Sequence, residues 1–127
     1  MSVINFLPIA EHLEAAGLLW VPEIGDEVSQ RDNRETISIL VDPQGLTPKE
    51  LRSTFIWLPT FEQLVDQFEA RQAILLHLGM ELTESQLVYR TIVKAGPSSI
   101  EASGESPREA LGVALRDMLL GGGKGLH

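Results

Sequence analysis

Gln86-Leu87-Val88-Tyr89-Arg90-Thr91-Ile92-Val93-Lys94 leads through Ala95-Gly96-Pro97-Ser98 into Ser99-Ile100-Glu101-Ala102-Ser103, and then into Ser106-Pro107-Arg108-Glu109. The first segment is rich in β-branched residues and carries a tyrosine, the composition of a strand. Gly96-Pro97 supplies turn chemistry, so residues 99–103 read as the returning strand. Ser106-Pro107-Arg108-Glu109 is a capping box with proline in the first turn. It opens a helix over 107–120 with Leu111, Ala114, Leu115 and Met118 as its buried stripe. This C-terminal β-β-α unit, residues 86–120, anchors the reading of the rest.

Working upstream, Thr60 is the natural N-cap of the longest helix, read over 61–78. Phe61, Leu64, Val65, Phe68 and Leu75 form its apolar stripe, and Gly79 its C′ residue. Residues 73–78 are apolar nearly all round, so that end is sandwiched within the fold or contacts another chain. Thr47-Pro48-Lys49-Glu50 is a second capping box. Its helix is short, because residues 53–58 read as a strand ended by Pro59. In residues 36–42, Ile37, Ile39 and Val41 alternate with Ser38 and Leu40, the period of a strand. Asp42-Pro43-Gln44-Gly45 stops it. Residues 23–35 are polar and read as a loop or loose hairpin, residues 18–21 as a short strand, and residues 7–16 as a helix closed by Gly17.

The expected fold is α+β: a single domain over 1–120 with an antiparallel or mixed sheet of four to five strands. Helices 61–78 and 107–120 pack it. Residues 121–127 hold four glycines and read as a flexible tail, since glycine loses much entropy in a helix.

The chain has 127 residues, 43% of them hydrophobic, enough for a core without staples. It has no cysteine, which excludes disulfides, thiolate metal sites and a cysteine nucleophile. Eighteen acidic residues against ten basic ones give a net charge of −8. Nucleic-acid binding is not expected, because it needs a positive field to displace counterions. Pro8 and Glu11 break the N-terminal apolar run, and no apolar stretch approaches the ~20 residues of a spanning helix. A cytoplasmic protein without membrane contact is the expectation.

Glu101-Ala102-Ser103-Gly104-Glu105-Ser106-Pro107-Arg108-Glu109-Ala110-Leu111 resembles the A-x-G-x-T-P-x-x-A-L close of small phage and prophage proteins that set helices around an antiparallel sheet. Trp57-Leu58-Pro59-Thr60-Phe61-Glu62-Gln63-Leu64 resembles the W-L-P-x-x-x-Q-L segment of small phage proteins. The two patches cover about a fifth of the chain. They imply origin and fold, with no catalytic residues to transfer. The β-β-α end also resembles the C-terminal half of a double-stranded-RNA-binding domain. That family carries lysines where this chain has Pro107, Arg108 and Glu109. The strand followed by G-x-T-x-x-E-A is similar to HicB-type antitoxins, whose partners are small basic toxins and whose motif lies near the N-terminus.

No constellation for catalysis stands out. His12, His77 and His127 are scattered, without metal-ligand spacing. Glu62, Asp66 and Glu69 share a helix face and read as solvated. Glu23, Asp26, Glu27, Asp32 and Glu35 read as a solvated acidic loop, or one that docks a basic surface. Gly121–Gly125 with Lys124 lacks the frame of a phosphate loop. No cofactor, metal or catalytic residue is expected.

The functional expectation is an acidic, non-enzymatic interaction module that binds another protein or itself. Ile74 and Leu78 are candidate contacts at the over-apolar segment. Trp20 and Trp57 are core residues, or anchors for a partner. Arg71 and Arg90 are candidate partners of a buried anion. The competing expectation is a small-ligand site or enzyme pocket between helix 61–78 and the sheet, and a further one is an antitoxin-like or RNA-binding module.

Overall fold

The computed structural model of the chain describes residues 3–125, and side chains over 5–121. The chain divides into two compact units, Ser2–Pro59 and Thr60–His127.

In the N-terminal unit a 3-10 turn, Val3–Phe6, runs into α1 (Leu7–Ala15). The turn of Gly17, at φ 104, closes α1 as a Schellman motif: the Leu18 N–H donates to Leu13 O and the Gly17 N–H to Glu14 O. β1 (Glu27–Gln30) and β2 (Ile37–Ile39) form an antiparallel hairpin. α2 (Pro48–Thr54) carries the expected capping box between Thr47 and Glu50. β3 (Phe55–Trp57) returns beside β1, giving a sheet of order β2-β1-β3. Its core gathers Trp20, Val28, Leu40 and Leu51, with Phe55 and Trp57 against them.

Charged side chains tie this unit together. The Arg31 guanidinium pairs with Glu14 of α1 and donates from Nε to Arg52 O at 3.0 Å. Arg34 pairs with Glu11. Arg52 donates to Trp20 O at 3.1 Å. Three of the chain's cations are thus used within the unit to hold α1 and α2 to the hairpin and to the segment at Trp20.

The C-terminal unit starts with α3 (Phe61–Ala70), capped by Thr60 and Gln63 acting reciprocally. β4 (Ile74–Leu82), β5 (Leu87–Ala95) and β6 (Ser98–Gly104) form an antiparallel meander of order β4-β5-β6. α4 (Pro107–Gly125) closes the unit. Leu111, Ala114 and Leu115 are fully buried and Met118 nearly so, the stripe read from the sequence. Leu64 and Phe68 of α3 are also buried, and α3 and α4 pack together. Gly104 lets the end of β6 approach the start of α4: a Cβ there would lie 2.7 Å from Ala110 N and 2.8 Å from Glu109 Cβ.

The structure corrects several expectations. The sheet of four to five strands is two sheets of three. The helix read over 61–78 ends at Ala70, and residues 74–82 are a strand. A second Schellman motif makes the break, with the Ala73 N–H donating to Phe68 O and the Gln72 N–H to Glu69 O. Its C′ residue is Gln72, at φ 60, where the pattern usually has glycine. The apolar run after it lacks the polar face of a surface helix because it is pleated, with β5 beside it. Gly79 therefore lies inside β4, beneath the His77 ring, rather than at a helix end. Residues 18–21 form no strand, while residues 27–30, polar apart from Val28, supply the central strand of the first sheet. The tail expected at 121–127 is helical through Gly125, and residues 126 and 127 lie outside the described residues. Propagation explains the extension, since each residue added to an existing helix gains a backbone hydrogen bond.

Candidate functional site

β4 is the site candidate with the most distinctive physical character. It is nine residues long and pairs on one side only, with β5. Such an edge presents unpaired N–H and C=O groups along its free side. Ile74, Leu76 and Met80 are each 56% exposed and Leu82 75%, so the edge is apolar as well as open. The opposite edge differs: β6 exposes Ser99, Glu101 and Ser103.

The two faces of β4 follow from its register. Leu75 faces Val93, Leu78 faces Thr91 and Met80 faces Tyr89. Val93 and Thr91 are fully buried, so this is the face under the helices. His77, Gly79 and Glu81 lie on the other face, opposite Ile92, Arg90 and Val88. A bulge between Leu75 and His77 makes the switch, and the Thr91 hydroxyl donates to His77 O at 2.8 Å there. A buried hydroxyl thus satisfies a carbonyl at the irregularity.

On the open face Arg90 joins two carboxylates. It donates to Glu81 Oε2 at 3.3 Å and pairs with Glu101 of β6. His77 Nε2 lies 3.7 Å from the same Glu81 oxygen. Arg90 is half-buried and its anions are the chain's own. Arg71 is exposed and C-caps α3, donating to Gln67 O at 3.1 Å. Ile74 and Leu78 both lie on β4 rather than on a helix, the first exposed and the second half-buried.

Beside β4, a groove of about 460 Å³ is lined by Phe61, Leu78, Gly79 and Tyr89, with Ser106, Pro107 and Arg108 at the start of α4. In the N-terminal unit a cavity of about 290 Å³ lies among Ala10, Leu18, Trp20, Arg52 and Trp57. Trp20 is buried and its indole N–H donates to Asp26 Oδ2 at 2.8 Å. The Glu23 N–H reaches the same oxygen at 2.9 Å. Asp26 is thus a buried structural acceptor, not part of a solvated acidic loop. Trp57 packs on the core cluster, and its Nε1 has no hydrogen-bond partner among the described residues. Exposed Leu19, Val21, Ile24, Ile39 and Val41 are spread over loops and the edge strand β2, which is only three residues long against the nine of β4.

Among the described residues no group of three His, Asp or Glu side chains is placed to hold a metal ion. His12 is exposed, as are Glu62, Asp66 and Glu69. No described helix is long and apolar enough to cross a membrane. The Glu50 carboxyl is held below its ordinary pKa, chiefly by the Thr47 N–H of the capping box. No family model, curated protein or solved structure matches the chain.

Proposed function

We propose that this chain is a non-enzymatic protein-interaction module that takes an extended segment onto the outer edge of β4. The open, nine-residue edge with exposed Ile74, Leu76, Met80 and Leu82 carries the reading. Strand addition draws affinity from main-chain hydrogen bonds and specificity from alternate side chains, and this edge offers both. An extended peptide selected from a display library should protect the amides of residues 74–82 from exchange. Leu76→Lys and Met80→Lys, at exposed positions, should abolish that protection and leave the fold intact. Peptides that protect only other segments would overturn the reading.

A small-ligand role is the second reading, and the cavity among Trp20, Arg52 and Trp57 favours it. Fragments that bind there would shift the Trp20 and Trp57 indole resonances together. Fragments that shift neither would dismiss it.

A further inference from the structure

We infer that the partner segment is β4 of a second copy, paired antiparallel about a twofold axis at Gly79; this rests on the reading of β4 as a docking edge. The sequence of β4 is complementary to itself in that register. His77 falls opposite Glu81 of the second copy, and Glu81 opposite its His77, on the open face. Leu78 falls opposite Met80 of the second copy on the helix-packed face. Exposed Leu76 and Leu82 meet at the two ends.

Neighbouring registers lose this match. Centring the axis on Leu78 sets His77 against Gly79 and leaves Glu81 opposite Leu75, an apolar partner. Centring it on Met80 sets Glu81 against Gly79. Only the axis at Gly79 pairs an imidazole with a carboxylate on both sides of the centre, which fixes register as well as partner.

The groove beside the strand supports the same pairing. Leu78, Tyr89, Phe61 and Pro107 wall it. Met80 of the second copy, set against Leu78, reaches its mouth. Gly79 leaves the centre of the pair without side chains, and the His77 ring already lies over that position. The outcome is a continuous six-stranded sheet in which both β4 edges are covered, the remedy a protein needs for an exposed apolar edge.

The absence of native cysteine gives a direct test. Across the axis, Gly79 and its copy sit at the ~4.5–5.5 Å Cα separation of an antiparallel pair, within the range a disulfide spans. The added Cβ of Gly79→Cys would lie 3.0 Å from Cε1 of the His77 ring, a side-chain end that can swing aside, and the variant should therefore form a disulfide-linked dimer under mild oxidation. Leu82→Cys should not, because its copy lies about 20 Å away. The wild-type mass should rise with concentration from 14.0 kDa towards twice that value. A mixture of His77→Glu and Glu81→Lys chains should favour the heterodimer, which the wild-type mass measurement does not require to be crosslinked. A wild-type chain that stays at 14.0 kDa up to millimolar concentration, or Leu82→Cys crosslinking as fast as Gly79→Cys, would overturn the pairing. If selected peptides still protect residues 74–82 in that case, only the second copy falls as the partner. If they do not, the docking edge falls with it.

Discussion

Alanine at two glycines of the C-terminal unit should move stability in opposite directions. At Gly104 the added Cβ would lie 2.7 Å from Ala110 N, 2.8 Å from Glu109 Cβ and 2.9 Å from Glu109 C. Two of these are backbone atoms of α4, which cannot swing aside as a side-chain end does. Relief requires β6 and α4 to separate where Ala102 and Ala110 are buried. Overpacking of this kind costs about 1–3 kcal/mol. At Gly121 nothing lies within 4 Å of the added Cβ, and the residue is inside α4. Alanine there should stabilise by about 0.5–1 kcal/mol through helix propensity alone. Urea unfolding followed by far-ultraviolet circular dichroism measures both, with wild type as reference and the midpoint read at constant slope. In a unit of this size each kcal/mol corresponds to about 4–8 °C in melting temperature. A neutral Gly104→Ala would refute the tight β6–α4 junction. A neutral Gly121→Ala would refute a helix that continues past residue 120.

Thr60→Ala removes the acceptor of the Gln63 N–H and should cost about 1 kcal/mol by urea unfolding. Asp26→Ala leaves the buried Trp20 indole N–H without its acceptor and should cost about 1–3 kcal/mol, with a change in tryptophan fluorescence. The folded Glu50 carboxyl titrates below its ordinary value because the Thr47 N–H, and then the Thr47 hydroxyl, favour its charged form. Its contribution to stability is therefore present above the unfolded glutamate pKa and fades as pH falls through the lowered folded value. A carbon-detected titration of Glu50 should show that lowered midpoint, and an unshifted midpoint would refute the capping box in solution.

The parts of the fold legible in the sequence are those fixed by neighbours along the chain. Thr47 with Glu50, Thr60 with Gln63, and Gly17 at φ 104 are local devices, and each stands where the pattern places it. The hairpin of β5 and β6 and the stripe of α4 are equally local in period and turn chemistry. The end of α3 was hidden because Gln72 takes the left-handed conformation that glycine usually marks. The run after it carries apolar residues on both faces, and period alone does not separate such a strand from a buried helix. β1 was hidden for the opposite reason. Its Ser29 is fully buried yet polar, its hydroxyl satisfied by Arg34 O at 2.7 Å, so no apolar alternation announces it. Which strands share a sheet depends on long-range pairing, and two three-stranded sheets use the same segments as one larger sheet would.

The site was legible only in part. The over-apolar run at residues 73–78 fits a segment sandwiched within the fold or one in contact with another chain, and the helical reading put Ile74 and Leu78 on a helix rather than on the edge strand they occupy. A strand edge offers backbone hydrogen bonds that a helix face does not, and the proposed partner is an extended chain for that reason. Arg90 was singled out as a cation needing an anion. Glu81 and Glu101 are three-dimensional neighbours across two strand pairs, which no spacing along the chain reveals.

Amide hydrogen exchange of residues 74–82, measured at several protein concentrations, tests the role of β4 most directly. Pairing between copies requires that the outward-facing amides of β4 exchange quickly in dilute solution and become protected as concentration rises, while β5 stays protected throughout. Exchange of those amides that is the same at every concentration, and the same when selected peptides are added, would contradict it.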